Sequence, residues 1–539
     1  MRKFKVQTLL TIVSMSVAVI LFTGCGKKSK SPFNFDYLPV QMSKGDSWSI
    51  IDKNGKEVVQ EEYPADAALS LIYEGTYWVY SNGKYQLYNI KNPKKPVIDE
   101  EFTTATAFNS GVAVVGNPNQ VIRIINTNGK IVATLGKDIR LCRAFNDEGY
   151  AEIINTDDKH GLIDTKGNIV ITPTYACLYT PSDGLIIALK EAGDSKALIL
   201  DMKGNKQGEI NRDKYHLLDE QFHEGKIPVR DADDDEAHTV ILDKTGNKLF
   251  DIKKAKEGYN CSVYQGGYMT FYNGDTFGVV DDKGEIIIRP KYKGMLNLGN
   301  GYFAARKDEK CGIVNADDET VIDFDYKDVG FTMGDNFVMR DGSSFSLVDR
   351  NGKEITSFAV VNAHADEYVE YVDVTSLINS IYTCISDYEQ GITPEQLAEQ
   401  LSLSLDDFHY RSYIRSHIDA DGKVSMSLSS SYGSYVAEQQ SHEEEVSDGW
   451  FTTTRTVIDG WNWSKEIPNS VSGTITLTDS SLNLEDFYKA LLEKLAVGRS
   501  KVSDNVFTKN IDVDGSTIEC RTTLEQNYDD IGIEIEFRQ

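Results

Sequence analysis

The sequence predicts a mainly β protein in which about nine copies of a short hairpin repeat precede a smaller α+β domain. Two stretches more than a hundred residues apart, HGLIDTKGNIVITPTY (160–175) and FGVVDDKGEIIIRPKY (277–292), share one pattern. That pattern recurs at even spacing through the first two thirds of the chain. After residue 358 it stops, and helical periodicity mixed with Asp-Gly corners replaces it.

The repeat is an apolar run, an Asp or Asn, two polar residues, usually a Gly, and a second apolar run. A fixed period of this length is the signature of a repeat architecture. The Asp or Asn recurs at intervals of 34 to 42 residues, at Asp52, Asn89, Asn126, Asp164, Asp201, Asp243, Asp281, Asn315 and Asp349. The longest interval contains DADDDE (231–236), which we interpret as an acidic loop insertion.

The acidic residue of the repeat has a structural explanation. Asp281 and Gly284 suit the first and fourth positions of a type I turn, in which the Asp side chain bonds the backbone of its own turn. The apolar runs on either side then pair as a hairpin. We therefore predict that the repeated aspartates are turn residues: Asp52, Asp164, Asp201, Asp243, Asp281 and Asp349.

Further strand-like pieces lie between the copies, so each unit holds three or four short strands. A unit of that size must stack on its neighbours to bury its apolar face. A β-propeller-like ring of blades and an open β-repeat solenoid both satisfy the count. We favour the ring because closure removes exposed strand edges, and we expect the strand around 33–41 to complete the last blade.

The repeat resembles the bacterial WG, or KWG, repeat over about 46–358. In one copy the matching residues are Gly161, Ile163, Asp164, Gly167, Ile171, Pro173 and Tyr175, and in another Gly278, Val280, Asp281, Gly284, Ile288, Pro290 and Tyr292. The Trp-Gly pair itself is absent. Ser49 follows Trp48, while His160, Phe277 and Cys311 precede the retained Gly. The resemblance implies a β-propeller-like scaffold used for binding, with no shared catalytic residues.

The first residues predict export. Residues 1–24 have a basic start, a short apolar core and small residues before Cys25, as in a signal peptide. The ending Phe22-Thr23-Gly24-Cys25 resembles a lipoprotein lipobox, which implies lipidation of Cys25; an ordinary secretory signal is the alternative. Residues 25–45 would form a tether and the first strand. We expect an exported protein anchored to a bacterial membrane by its lipid, either periplasm-facing or displayed on the surface.

The formal net charge is −27. This charge disfavours nucleic acid and anionic membrane surfaces as partners, so we expect membrane contact through the lipid alone. The other cysteines form no closely spaced pair, and both disulfides and buried free thiols remain open for them: Cys142, Cys177, Cys261, Cys311, Cys384 and Cys520. We expect no cofactor.

Residues 360–539 predict the α+β domain. A helical apolar face spans 374–390, a second short helix begins at Thr393, and a third covers about 484–497. Asp-Gly pairs at 421–422, 459–460 and 514–515 predict hairpin corners.

The sequence contains no recognisable catalytic or metal-binding motif. HIDADG (417–422) lacks the later ligands of a calcium loop and reads as a turn. The best candidate contact surface is IDGWNWS (458–464), where Trp461 and Trp463 would share one face. The alternative is that both indoles belong to the domain core.

We therefore expect a non-catalytic, lipid-anchored binding or scaffold protein of the cell envelope with a protein or glycan partner. The alternative is an envelope hydrolase acting on glycan or peptide, with acidic side chains converging at the propeller centre. That alternative predicts carboxyl groups of shifted pKa meeting at one place.

Overall fold

The computed structural model describes residues 34–232, 239–252, 264–361, 363–389, 415–420, 423–431, 437–447, 452–463, 470–478, 482–513, 516–528 and 530–538. The chain divides into two compact units, 1–372 and 373–539, which are described separately. No helix in the described residues is long and apolar enough to cross a membrane.

The described part of unit 1 forms nine small antiparallel sheets, or blades, that follow one another along the chain. The strands of blades 1 to 3 are β1 (Tyr37–Gln41), β2 (Trp48–Asp52), β3 (Glu57–Tyr63); β4 (Ala68–Leu69), β5 (Thr76–Ser81), β6 (Lys84–Asn89); and β7 (Thr104–Ala105), β8 (Val112–Gly116), β9 (Arg123–Asn126), β10 (Ile131–Thr134). Those of blades 4 to 6 are β11 (Ile139–Arg143), β12 (Tyr150–Asn155), β13 (His160–Asp164), β14 (Ile169–Tyr175); β15 (Cys177–Leu178), β16 (Leu185–Leu189), β17 (Lys196–Asp201), β18 (Lys206–Asn211); and β19 (Tyr215–Leu217), β20 (Lys226–Asp231), β21 (Thr239–Asp243), β22 (Lys248–Ile252). Those of blades 7 to 9 are β23 (Tyr268–Tyr272), β24 (Phe277–Asp281), β25 (Ile286–Tyr292); β26 (Gly294–Gly299), β27 (Tyr302–Lys307), β28 (Lys310–Asn315), β29 (Thr320–Tyr326); and β30 (Asp328–Met333), β31 (Asn336–Asp341), β32 (Ser344–Val348), β33 (Glu354–Phe358).

The turn glycine of the repeat has two tasks. It adopts the left-handed conformation, as at Gly167 with φ +84°, which favours glycine. It also lies against the outer strand of the preceding blade: a Cβ on Gly167 would be 2.2 Å from that of Ala133. The same approach recurs between Gly284 and Phe250, where a Cβ would be 2.6 Å from the ring. The repeat glycine therefore allows neighbouring blades to dock.

The glycine after the Trp position has a different reason. A Cβ on Gly161 or Gly278 would lie 2.6 Å from a carbonyl oxygen of the outer strand in its own blade, at a point where the ladder shifts register. In blade 1 the residue is Ser49, which is fully buried. Its hydroxyl donates to Glu57 and accepts from the Glu61 backbone N–H, each at 2.9 Å. The serine thus replaces the close backbone approach by two hydrogen bonds.

The nine blades form a closed ring. An apolar cluster lies between each pair of neighbouring blades, including blade 9 and blade 1, where Phe331 and Leu347 meet Leu38. A short strand near the end of unit 1, β34 (Val360–Val361), pairs with β1 and completes blade 1. The solenoid alternative is therefore wrong.

The N-terminal strand lies in a different blade from the one predicted. The sequence favoured the strand around 33–41 as the completion of the last blade. Tyr37–Gln41 pairs with Trp48–Asp52 inside blade 1 instead. Asn34 provides the link to blade 9, through a bridge to Thr332 and a 2.7 Å hydrogen bond from the Gly334 N–H to its side chain.

The segment after blade 9, residues 359–361 and 363–372, is named the strap. It meets the first strand of blades 1 to 4 in succession. In blade 1 β34 pairs with β1, in blade 2 the His364 N–H donates to Leu69 O at 2.9 Å, and in blade 3 the Asp366 N–H donates to Ala105 O at 3.0 Å. In blade 4 a second short strand, β35 (Tyr368–Glu370), pairs with β11. So short a segment can touch four blades only where their strands converge, which places the first strand of each blade on the inside of the ring. Unit 1 therefore extends past the repeat boundary at 358 predicted from the sequence.

Side chains fix the strap in place. The Tyr85 hydroxyl lies 2.8 Å from His364 Nε2 and 3.1 Å from an Asp366 carboxylate oxygen, whose other oxygen accepts the Ala105 N–H at 2.9 Å. Val369 is fully buried, and a Cβ on Gly116 would be 2.5 Å from it. The inner wall of the ring is thus shaped to receive the strap.

Unit 2 is α+β. The helices within its described residues are α1 (Val374–Glu389) and α2 (Leu484–Leu495), which contact each other. Asn483 caps α2 by accepting the Asp486 N–H, and Phe487, Leu491 and Leu495 are buried. Seven strands form one antiparallel sheet, in the order β36 (Arg415–Ala420), β37 (Val424–Ser431), β40 (Ser470–Leu477), β44 (Ile531–Arg538), β43 (Ser516–Gln526), β42 (Val506–Val513) and β41 (Ser500–Ser503). A separate pair consists of β38 (Ala437–Ser447) and β39 (Thr452–Trp463).

One predicted hairpin corner is wrong. Asp459 and Gly460 lie inside the continuous strand β39, where the register with β38 shifts between Gln440 and Ser441. An Asp-Gly pair in this setting forms a bulge, because one extra residue leaves both flanking segments paired with the same partner strand. Residues 421–422 and 514–515 lie outside the described residues. The two strands that flank residues 421–422 are hydrogen-bonded to each other, and so are the two that flank residues 514–515. The second predicted helix, from Thr393, also lies outside them.

A buried ion pair joins α1 to the segment after α2. The Arg499 Nε donates to both carboxylate oxygens of Glu389, at 3.0 and 3.1 Å, and these side chains are 2% and 1% exposed. The Thr522 hydroxyl donates to the same carboxylate at 2.5 Å, and the Tyr382 hydroxyl accepts from Arg499 at 3.3 Å. Both charges are compensated by hydrogen bonds, as burial requires.

Candidate functional site

The repeated aspartates lie in turns. Asp281 Oδ1 accepts the backbone N–H groups of Lys283 and Glu285, at 2.9 and 2.8 Å, and Gly284 has φ +83°. The same two acceptor bonds, to the second and fourth following residues, occur at Asp52, Asp164, Asp201, Asp243 and Asp349. Hydrogen bonds from the Asn205 side chain and the backbone hold the pKa of Asp201 below its usual value. These carboxylates stabilise the hairpins, and a candidate site is better sought among residues that differ between blades.

The residue at the Trp position of the repeat pairs across the ladder with the Tyr that ends the repeat. Trp48 pairs with Tyr63 and Phe277 with Tyr292, and all four rings are buried. His160 occupies this position in blade 4, and its Nδ1 lies 2.5 Å from a carboxylate oxygen of Glu152. Blade 4 thus has an ionisable side chain, bonded to Glu152, where blades 1 and 7 have an aromatic ring.

Glu152 is unusual among the nine blades. Its side chain is 7% exposed, and the Arg143 Nε donates to its second oxygen at 2.6 Å. Strand register identifies the equivalent residues, none of which carries a charge, as Pro39, Trp78, Val114, Ile187, Pro228, Thr270, Ala304 and Val338. Burial of an unpaired carboxylate is costly, so Glu152 depends on the Arg143 guanidinium and the His160 imidazole as its partners.

Electrostatic coupling extends this pair to blades 5 and 6. Glu220 follows β19, and its side chain is exposed. Partial desolvation by the surrounding protein raises the pKa of its carboxyl group, and the Asp219 and Glu152 carboxylates add to this rise, while Arg143 lowers the pKa. Burial and the Glu152 and Glu220 carboxylates also raise the pKa of the Cys177 thiol, against the lowering effect of its bond with Tyr179. We name this set of residues the polar arc: Arg143, Glu152, His160, Cys177 and Glu220.

The strap borders the polar arc. The Arg143 guanidinium lies 5.8 Å from the ring centroid of Tyr368, within cation–π range. The neighbouring Arg140 donates to Glu370 at 2.8 Å. The strap thus meets the basic side of the arc, at Arg143.

The arc offers chemistry for binding. A guanidinium, an imidazole, an exposed carboxyl group and aromatic rings suit a ligand with polar and charged groups. Within the described residues, no three His, Cys, Asp or Glu side chains are placed to hold a metal ion. Cys142, Cys177, Cys311 and Cys520 are free thiols there. Cys261 and the Cys384 side chain lie outside the described residues.

For the remaining candidate residues from the sequence, the structure describes the backbone alone or does not describe the residue. Trp461 and Trp463 lie in β39 and pair with Gln439 and Ala437, while their side chains are outside the described residues. Residues 1–24, Cys25 and most of the acidic run 231–236 are also outside. The polar arc was not predicted from the sequence. Aligning the second strand of each blade would have found it, because Glu152 breaks that column.

Three regions match the family model of the WG containing repeat: residues 48–85, 161–192 and 277–311. The chain contains WG-type repeats. Each match covers the last two strands of one blade and the first two of the next. The repeat in the sequence is therefore out of phase with the blade, and each copy ties two blades together.

Solved structures resemble the chain weakly. BamB from Moraxella catarrhalis is 15% identical and aligns over 52% of this chain and 88% of its own, with a TM-score of 0.30. A eukaryotic initiation factor is 10% identical over 60% of this chain and 96% of its own, with a TM-score of 0.38. The N-terminal domain of Nup159 is 10% identical over 63% and 98%, with a TM-score of 0.25. No curated protein matches the sequence significantly.

Proposed function

We propose that the protein is a non-catalytic, lipid-anchored binding or scaffold protein of the bacterial cell envelope, with a protein or glycan partner. The observation that carries the proposal is the polar arc. The repeated aspartates are engaged in turns, whereas Glu152, which has no charged equivalent in the other blades, is bonded to Arg143 and His160. A rigid ring that presents a few convergent polar groups is typical of a binding site.

The anchor is proposed from the sequence before Cys25. The expected lipid on this thiol would hold the protein at a membrane through acyl chains alone. A Cys25→Ser variant should lose incorporation of an alkyne-tagged fatty acid and leave the membrane fraction. A Cys177→Ser variant should keep both properties. Retention of label by Cys25→Ser would contradict the anchor.

The partner is tested by crosslinking and mass spectrometry in intact cells. The full chain is compared with a Glu220→Arg variant, which reverses the charge of the exposed arc carboxyl group, and with Glu485→Arg as a control on the exposed surface of unit 2. We expect a specific partner with the wild type and the control, and its loss with Glu220→Arg. Recovery of no specific partner, or equal recovery from all three, would contradict the proposal.

A second candidate is an envelope hydrolase acting on glycan or peptide. The raised pKa of Glu220 beside Glu152 favours it, because a carboxyl group that stays protonated can act as a general acid. Against it, both oxygens of Glu152 are occupied by Arg143 and His160, which leaves it poorly placed as a base or nucleophile. Hydrolysis of cell-wall glycan or peptide that disappears in Glu220→Gln would support this candidate.

A further inference from the structure

The inner edge of the ring is covered along part of its circumference. The strap pairs with or bonds the inner strands of blades 1 to 4, and Phe35 donates its N–H to Thr332 O of β30 in blade 9 at 3.0 Å. These contacts are made by backbone groups of extended chain. The protein thus already uses strand addition to its own inner edge.

The inner strands of blades 5 and 6 lack such a cover among the described residues. β15 and β19 are the terminal strands of their sheets there. On either side of β19, the Leu218 N–H donates to Pro228 O and the Lys214 carbonyl accepts from the Ala232 N–H, so alternate residues along this strand face β20. The backbone N–H and C=O of Leu217 therefore point toward the open edge. An exposed edge of this kind is a template for an additional strand.

One carboxyl group next to this edge is opposite in sign to the ring bases beside the strap. Where the strap lies, the ring supplies the bases Arg140 and Arg143, and the strap supplies Glu370 and the Tyr368 ring. At the open edge the ring supplies a carboxyl group, Glu220, three residues after Leu217. Within the described residues, no hydrogen bond or ion pair engages this carboxyl group.

Three neighbouring charged groups already have hydrogen-bond or ion-pair partners. Glu152 is bonded to Arg143, Asp219 lies 3.4 Å from His223, and the Arg212 guanidinium donates to Asp194 O at 2.5 Å. Glu220 differs from these three groups in that its carboxyl group has no hydrogen bond or ion pair within the described residues, so it can accept an incoming basic side chain.

We propose that the open inner edge at β15 and β19 binds an extended polypeptide segment of a partner as an added strand, with a Lys or Arg side chain on Glu220. Backbone hydrogen bonds to groups such as those of Leu217 would provide affinity, and Glu220 would select a basic side chain. This inference rests on the proposed binding function and narrows its partner from protein or glycan to a basic, extended peptide.

The test uses the full chain and three fluorescein-labelled pools of nine-residue peptides. The central residue is Lys, Glu or Gly, and the remaining positions are mixtures of Ser, Thr and Val, which favour extended chains. We expect the Lys pool to bind the wild type best by fluorescence polarisation. Glu220→Gln should weaken that binding about tenfold, the effect of losing one charge-assisted hydrogen bond.

A matched pair of variants tests the backbone contact. Leu217→Pro removes an N–H that points to the open edge and leaves the bonds to β20 intact, whereas Leu217→Ala keeps the N–H. We expect Leu217→Pro to weaken binding of the Lys pool about fivefold or more, and Leu217→Ala to leave it within about twofold. Unchanged near-UV circular dichroism would show that the fold survives.

If Leu217→Pro disturbs the fold, a photo-crosslinking Lys peptide on the unmodified protein replaces it. Its crosslinks must fall within 176–179 or 214–220, and crosslinks elsewhere overturn the site. No binding by any pool up to about 1 mM, or equal binding by the two Leu217 variants, also overturns the inference, since even weak specific peptides bind in that range. Equal binding of the Lys and Glu pools overturns the assignment of a basic side chain.

The outcome is separable from that of the proposed function. Peptide binding that depends on Leu217 and Glu220, without a partner in cells, would leave the edge site standing and remove the cellular role. A partner in cells that is lost with Glu220→Arg, together with peptide binding that is the same for the two Leu217 variants, would do the reverse.

Discussion

The contact between Gly167 and Ala133 gives a quantitative test of how neighbouring blades dock. Substitution by alanine has two consequences at this position. A residue with a Cβ in the left-handed region at φ +84° costs about 1–2 kcal/mol. The new Cβ would also lie 2.2 Å from that of Ala133, which is fixed to the backbone and cannot rotate away. Overpacking of this kind costs about 1–3 kcal/mol more.

Gly83 is the matched control. It has φ +75°, and a Cβ there would have no neighbour within 4 Å. Gly83→Ala should therefore lower the free energy of unfolding of the ring by about 1–2 kcal/mol, and Gly167→Ala by about 2–5 kcal/mol. The assay is hydrogen exchange of peptides from unit 1 as a function of urea, which reports the ring separately from unit 2. Equal losses of unfolding free energy in the two variants would refute the docking argument, because the left-handed backbone conformation alone would then explain the need for glycine.

Three further results follow from buried groups. Burial raises the pKa of the Asp366 carboxyl group, so the protonated carboxyl group stabilises the fold fully at pH values below its ordinary pKa, and this stabilisation is lost as pH rises through the raised pKa. The urea midpoint of the wild type should therefore fall relative to that of Asp366→Asn from roughly pH 4 upward. Parallel dependence of the two midpoints on pH would contradict this. Glu389→Gln should destabilise unit 2 by about 3–5 kcal/mol by leaving Arg499 buried and unpaired, whereas the double substitution Glu389→Leu with Arg499→Met should cost less in urea unfolding; a larger loss in the double variant would exclude the desolvation argument. Burial raises the pKa of the Cys520 thiol to about 12, so iodoacetamide at pH 8 should alkylate it only as unit 2 unfolds, and fast labelling of the folded chain would show that the thiol is accessible.

The repeat architecture was predictable because its information is local. An Asp and a Gly three residues apart, flanked by apolar runs, specify a hairpin by their own backbone preferences. The position of helix α2 follows similarly from Asn483 as cap and from the apolar spacing of Phe487 and Leu491. Such signals survive in a single sequence because the interacting groups are neighbours in the chain.

The strap and the polar arc depend on distant partners. His364 meets Tyr85, and Arg143 meets Tyr368, across more than two hundred residues, and the strap has no repeat pattern of its own. Asp459-Gly460 misled for a related reason: the dipeptide favours a tight turn, but the paired strand β38 imposes a bulge. Tertiary pairing decided each of these cases.

The completion of blade 1 by β34 has a consequence for the time course of synthesis. More than three hundred residues separate β1 from its inner partner. At typical translation rates, roughly 15–60 s pass between the appearance of the two. For that interval the nascent chain carries a sheet with one edge unsatisfied, next to eight similar sheets that emerge in turn. Premature pairing with a wrong blade is the hazard of this arrangement, and holding the chain unfolded until residue 372 has emerged would avoid it.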